Sequence, residues 1–173
     1  MNWRARVAAF DARAEAAFEH VRSPALDPYV YRLSSAADHS LLWHAMGVGD
    51  ALAHGADVAR AARFALAMGA ESAITNGGLK ALFGRLRPHA YDAIEFRHGL
   101  RRPITSSFPS GHATAAFCAA TLLGGGPALY TGAAVVATTR IYVRLHHASD
   151  VIAGAALGLA LGAAMRPFVK GRE

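Results

Sequence analysis

The sequence predicts an all-α integral membrane helical bundle, with about five core helices and an N-terminal amphipathic helix at the interface. Two charge-free stretches and one periodic segment carry that expectation. From Pro103 to Thr139, and again from Val151 to Met165, there is no Asp, Glu, Lys or Arg. Such runs suit a bilayer, where a spanning helix needs about 20 mostly apolar residues. Near the N-terminus, Trp3, Val7, Phe10, Ala14, Phe18 and Val21 recur at helical spacings, while Arg4, Arg6, Asp11, Arg13, Glu15 and Glu19 take the other faces. That is the pattern of a helix lying in the interface plane, although an amphipathic helix packed on a soluble core shows the same period.

The elements follow in order. The amphipathic helix occupies residues 1–23, and the Pro24 to Pro28 stretch breaks it. A second helix is predicted from Ser40 to His54 and a third from Ala59 to Phe83, interrupted by Asp50 and Glu71 respectively. Centring a charge in lipid costs roughly 3 kcal/mol, so Glu71, Thr75 and Asn76 are expected to point into the bundle. The loop from Pro88 to Phe108 is polar and carries Arg97, Arg101 and Arg102. A helix then starts at Pro109 and stops at the Gly124, Gly125, Gly126, Pro127 breaker, and the next runs from Ala128 to Leu145. The last is expected to start near Ser149 as N-cap and carries Gly154, Gly158 and Gly162 along one stripe, a spacing that admits a second helix at close range.

At 173 residues and 53% hydrophobic content, the chain can bury one substantial core, which makes residues 1–173 a single domain. The N-terminal residues carry charges of both signs with no apolar run behind them, so no cleaved leader is read there. Cys118 is the only cysteine, which excludes an intramolecular disulfide and suits packing in a helix. The formal charge of +6 and the pI near 10.1 call for an anionic partner. The apolar runs favour a membrane surface and a phosphorylated lipid over nucleic acid. Self-association is compatible with the sequence and nothing in it requires it.

Three fragments fit together as one phosphate-handling site: KALFGRLRP from Lys80 to Pro88, PSGH from Pro109 to His112, and TRIYVRLHHASD from Thr139 to Asp150. Lys80, Arg87 and Arg140 supply cations for the equatorial oxygens of a transferring phosphoryl group. Pro109 in the first turn of a helix would aim the N–H groups of Ser110, Gly111 and His112 at the anion, with Gly111 allowing close approach and the Ser110 hydroxyl adding a donor. The remaining histidines, His20, His39, His44, His54, His89, His98 and His147, have no spaced partner set and are read as locally satisfied. His39 and His44 fit no metal pattern, so neither a metal site nor a cofactor is expected. Arg97, Arg101, Arg102 and Arg144 divide evenly between headgroup contact and solvated charge.

In order and internal spacing, Lys-x6-Arg-Pro, Pro-Ser-Gly-His and Arg-x5-His-x3-Asp resemble the three motifs of the type 2 phosphatidic acid phosphatase (PAP2) superfamily, which includes vanadium haloperoxidases. The resemblance covers residues 80–150, with Thr139 standing where the family usually has Ser. It implies a helical bundle of the PAP2/haloperoxidase type and a metal-independent phosphatase. His146 would attack phosphorus to form a phosphohistidine, Asp150 would fix its tautomer, and His112 would act as general acid and then base. The substrate class it implies is a lipid phosphate or diphosphate: polyprenyl diphosphate, polyprenyl-phosphoribose phosphate or phosphatidate. A vanadium-dependent haloperoxidase and a non-enzymatic lipid-binding membrane protein are the alternatives. The former are soluble and much longer, and the latter would normally lack one of the chemical positions filled here.

If the segments near 40–56, 59–80, 109–124, 128–145 and 150–167 all span, the motifs share a face with the N-terminal segment. That face carries thirteen Lys and Arg against five opposite, and ten against five once Lys80, Arg87 and Arg140 are set aside. The positive-inside rule then places the site on the cytoplasmic side of a bacterial plasma membrane.

Overall fold

The computed structural model of the chain describes residues 2–88, 100 and 103–171. Arg97, Arg101, Arg102, His89 and His98 lie outside the described residues. Helix α1 covers Trp3–Val21, where Asn2 caps it by accepting the Ala5 N–H at 2.9 Å. A helix that the sequence did not announce, α2, covers Asp27–Ala36 with Pro28 in its first turn, where a missing N–H costs nothing. Helix α3 is Leu41–Ala53 and α4 is Val58–Ser72, with Asp57 accepting the Arg60 N–H at 2.8 Å as N-cap. From Ala73 to Leu79 the chain continues as a π-helix that passes into the short α5, Lys80–Leu82. Together these cover the predicted Ala59 to Phe83 segment as far as Leu82, with a π segment of the kind often found at functional sites before its end.

Helices α6 (Gly111–Leu122), α7 (Pro127–Tyr142) and α8 (Ala148–Lys170) complete the bundle. Almost every side chain of α6 is buried, Cys118 among them, so α6 is the central helix. Its packing against α8 depends on the predicted glycine stripe. A Cβ on Gly158 would lie 2.3 Å from the Thr114 carbonyl oxygen, and one on Gly154 would lie 2.5 Å from that of Ser110. Trp43, Phe64, Met68, Leu122, Val136 and Val169 fill the space between α3, α4, α6, α7 and α8.

Helix α8, at 23 residues, is long and apolar enough to cross a bilayer, and among the described residues it is the one helix that meets both criteria. The 12 residues of α6 and the 16 of α7 are shorter than the predicted spans. The Ser110 cap and the glycine turn trim the ends. The last helix starts one residue before the predicted cap: its N-cap is His147, whose N–H donates to Asp150 Oδ2 at 2.9 Å.

The interfacial helix also differs from its prediction. Trp3, Phe10 and Val21 are exposed as expected, but Asp11, placed on the polar face by periodicity, is only 5% exposed. Helix α1 is pinned across the turn between α7 and α8. The Arg22 guanidinium donates to the Tyr142 and Ile141 carbonyls at 2.7 and 2.9 Å, where the negative end of the α7 dipole favours a cation. Arg144, with a positive φ of 57°, pairs with Glu19 at 2.7 Å. That answers one of the evenly divided readings: Arg144 is engaged by α1.

Candidate active site

The end of the α4–α5 segment, the start of α6 and the α7–α8 turn converge on a cavity of about 490 Å³. Lys80, Arg87, Gly111, His112, Arg140 and His146 all line it, so most of the predicted residues meet around one cavity. Asp38, His39, His44, Glu71 and Asn76 also line it.

Arg140 lies in the last turn of α7, two residues before its end, and is 3% exposed. Its Nη1 donates to Ser34 Oγ at 2.5 Å, while its buried Nε finds no acceptor among the described residues. A buried cationic donor without an acceptor is costly, and an anion in the cavity would supply one. Arg87 is held at the rim, where Nη1 donates to the Leu145 carbonyl at 2.5 Å and Nη2 to that of Thr105 at 3.0 Å. Gly111 earns its place by approach: a Cβ there would stand 2.8 Å from Asn76 Oδ1 and 3.4 Å from Lys80 Nζ. Thr139, the departure from the family pattern, donates its hydroxyl to the Val136 carbonyl at 2.6 Å and does not line the cavity.

Ser110 does not meet its expectation. The helix begins at Gly111 with Ser110 as N-cap, and Ser110 is fully buried outside the cavity lining. Its Oγ accepts the Ala113 N–H at 3.5 Å and its own N–H donates to the Asp150 carbonyl at 3.1 Å. The cap consumes the groups that were expected to face an anion. Gly111 and His112, in the first turn, remain at the cavity wall.

His146 lies in the turn between α7 and α8 and is 3% exposed. Its Nδ1 is 2.7 Å from the Ser107 carbonyl oxygen but 3.7 Å from Asp150 Oδ2. A carbonyl only accepts, so Nδ1 carries the proton and Nε2 keeps a free lone pair. The tautomer is set by Ser107, a residue that motif reasoning did not single out, and Asp150 contributes charge from a short distance. Asp150 instead accepts Arg85 Nη1 at 2.6 Å. Burial pushes the His146 pKa down to about 3, with Asp150 opposing and Arg87 and Arg140 assisting. The ring is therefore neutral at physiological pH, as a nucleophile must be.

His112 Nε2 lies 3.0 Å from Asp38 Oδ1. Asp38 is in the turn before α3, where His39 and Ser40 both take left-handed φ values of 53° and 58°. Two consecutive non-glycine residues in that region store strain, which clusters at functional sites. Burial would raise the Asp38 pKa, but contact with His112 and the Arg140 charge outweigh it, and the carboxyl is held below its usual value. No spacing rule could have found Asp38, because the partner histidine is 74 positions away and joins it only in three dimensions. Glu71 and Thr75 are buried as predicted, whereas Asn76 is exposed at the cavity wall.

The sequence matches the family model of the PAP2 superfamily over residues 60–173. The chain belongs to the PAP2 superfamily. It is 36% identical over 99 residues to the decaprenylphosphoryl-5-phosphoribose phosphatase of Mycobacterium tuberculosis, over 55% of this chain and 54% of that protein. It is 37% identical over 107 residues to the lipid A 1-phosphatase of Porphyromonas gingivalis, over 57% of this chain and 21% of the relative. The chain thus spans about half the length of one curated relative and about a fifth of the other. The crystal structure of a transmembrane PAP2-type phosphatidylglycerolphosphate phosphatase from Bacillus subtilis superposes with a TM-score of 0.76 at 22% identity, over 95% of this chain and 87% of that one. The fold is therefore the all-helical bundle of that transmembrane PAP2-type structure.

Proposed function

We propose that this chain is a membrane lipid phosphatase that hydrolyses a terminal phosphate from a lipid phosphate or diphosphate through a phosphohistidine on His146. The observation that carries the reading is the unprotonated Nε2 of His146 on the wall of a cavity that also holds Lys80, Arg87 and Arg140. These cations bind the phosphoryl oxygens, and the Arg140 Nε supplies a donor that the protein leaves without an acceptor among the described residues. Nε2 attacks phosphorus and the bond to the leaving oxygen breaks, with His112 giving that oxygen a proton. Water then attacks the phosphohistidine, His112 takes the water proton, and inorganic phosphate leaves with His146 neutral again. Asp150 and the Ser107 carbonyl stabilise the positive ring that exists between the two steps.

The relatives act on a lipid A phosphate and a decaprenyl-linked phosphoribose, which supports a lipid-borne phosphate as substrate for this chain. Polyprenyl diphosphate, polyprenyl-phosphoribose phosphate and phosphatidate all present the group that the cavity reads. A bacterial plasma membrane with the cavity on its cytoplasmic side is the location that the charge count favours. The test is phosphate release by purified protein in detergent micelles from a panel of these three lipids, with EDTA in excess. Release from at least one is expected. No release from any, or a strict Mg2+ requirement, would refute the proposal.

A further inference from the structure

Asp11 is the one acidic residue of α1 that is buried, and the mechanism above does not use it. Its two carboxylate oxygens are fully engaged beneath the α7–α8 turn. Oδ1 accepts the Ser149 N–H at 2.8 Å, and Oδ2 accepts the Ser149 hydroxyl and Arg85 Nη2, both at 2.7 Å. The other arm of the same guanidinium, Arg85 Nη1, donates to Asp150 Oδ1 at 2.6 Å and to Ser149 Oγ at 2.8 Å. Arg85 is thus shared between two carboxylates, one fully buried and the other nearly so. Asp150 is in turn 3.7 Å from the Nδ1 of His146.

The charges have a consequence. Arg85 paired with Asp150 alone would cancel the carboxylate that faces His146, whereas Arg85 divided between Asp11 and Asp150 leaves the set with one net negative charge. In surroundings of low polarity that charge favours a cation on the adjacent ring. Docking of α1 does not explain Asp11, because Arg22 on Tyr142 and Ile141, and Glu19 on Arg144, already pin the helix to this turn. Burying a carboxylate there would only add a desolvation cost to that task.

Resting on the phosphatase reading, we propose that Asp11 is a positioning residue for the transfer step, holding Arg85 so that Asp150 keeps its negative charge toward His146. Asp11 lies outside the region matched by the family model, at 60–173, so the N-terminal helix would supply part of the electrostatics of the site.

The test compares wild type, D11N and the double substitution D11N/R85Q in micelles. Dissociation constants for orthovanadate and inorganic phosphate are measured by titration calorimetry, alongside kcat and KM on dioctanoyl phosphatidate. Vanadate bonds to the ring nitrogen and makes it positive, while phosphate only occupies the cationic pocket. In D11N the preference for vanadate over phosphate should fall about tenfold, the scale of one charge-assisted hydrogen bond, and kcat should fall with KM unchanged. In D11N/R85Q the preference should return to within about threefold of wild type, because no cation then cancels Asp150. An unchanged preference in D11N, equal loss of both anions, or a double substitution no better than the single would overturn the proposal. If D11N does not fold, the double substitution decides against wild type, and a tenfold loss overturns the role. Wild type that prefers vanadate but turns over no phosphatidate, and none of the panel lipids, would sink the phosphatase reading and leave Asp11 to be judged on the anion ratio. Wild type with no preference for vanadate would overturn both.

Discussion

Asp38→Asn removes a unit charge 3.0 Å from His112 Nε2 while preserving the shape of the side chain. At an effective dielectric constant of about 20, two unit charges at that separation interact by about 5.5 kcal/mol. Both side chains are 17% exposed, so solvent reduces this, and the range measured for hydrogen bonds to charged groups, about 1.5–3 kcal/mol, is the better guide. If Asp38 stabilises the protonated His112 that donates to the leaving oxygen, kcat should fall about ten- to a hundredfold. The loss should depend on the leaving group. An alkyl phosphate such as dioctanoyl phosphatidate needs a proton on its departing oxygen, whereas p-nitrophenolate leaves without one. Initial rates of phosphate release from both compounds, with wild type and Asp38→Asn in the same micelles, provide the assay. The full loss is expected on the lipid and less than about threefold on the aryl ester. Equal losses on both, or none on the lipid, would refute the pairing of Asp38 with a general acid.

His146→Ala should lower phosphate release by at least about four orders of magnitude, as expected for a nucleophile, while His147→Ala, whose ring is absent from the cavity lining, should stay within about twofold. A dead His147 variant beside an active His146 variant would reverse the assignment. Because burial holds the His146 pKa near 3 against an ordinary value of 6.5, the unfolded chain binds a proton there that the folded one does not. Its contribution to stability is complete above pH 6.5 and is lost as the pH falls toward 3, with a slope approaching about 1.4 kcal/mol per pH unit. Thermal melts between pH 7 and 4 should therefore show a shallower decline for His146→Gln than for wild type, and parallel declines would contradict a buried neutral ring. Sidedness can be read with single cysteines at Ile104, which is 98% exposed near the cavity, and at Ala128, in a background where the buried Cys118 is replaced by Ser. A membrane-impermeant maleimide applied to intact cells should label position 128 and spare 104. The opposite pattern would refute a cytoplasmic site.

Much of the bundle was legible from the amino-acid order because its causes are local. The charge-free runs, the Gly-Gly-Gly-Pro breaker and the period of α1 each act within a few residues, and the helices appear where they predict them. The glycine stripe on α8 also announced a close neighbour, although only the fold identifies α6 as that neighbour. Helix ends were less legible. Ser110 and His147 became caps through contacts with Ala113 and Asp150, which a residue-type preference does not specify to within a position.

The sequence by itself determined the family and the motif spacing, and it singled out Lys80, Arg87, Gly111, His112, Arg140 and His146, which the fold brings around one cavity, because the covalent chain states the motifs in order. Only the tertiary structure decided which partner each one meets. Ser107 rather than Asp150 sets the tautomer of His146, Asp38 reaches His112 from a strained turn far away in the chain, and Arg85 ties Asp150 to Asp11 across the N-terminal helix. Those contacts join residues 39 to 74 positions apart. Hydrogen bonds and short-range charge interactions fade within a few ångströms, so partners so distant in sequence are specified only after packing has brought their backbones together.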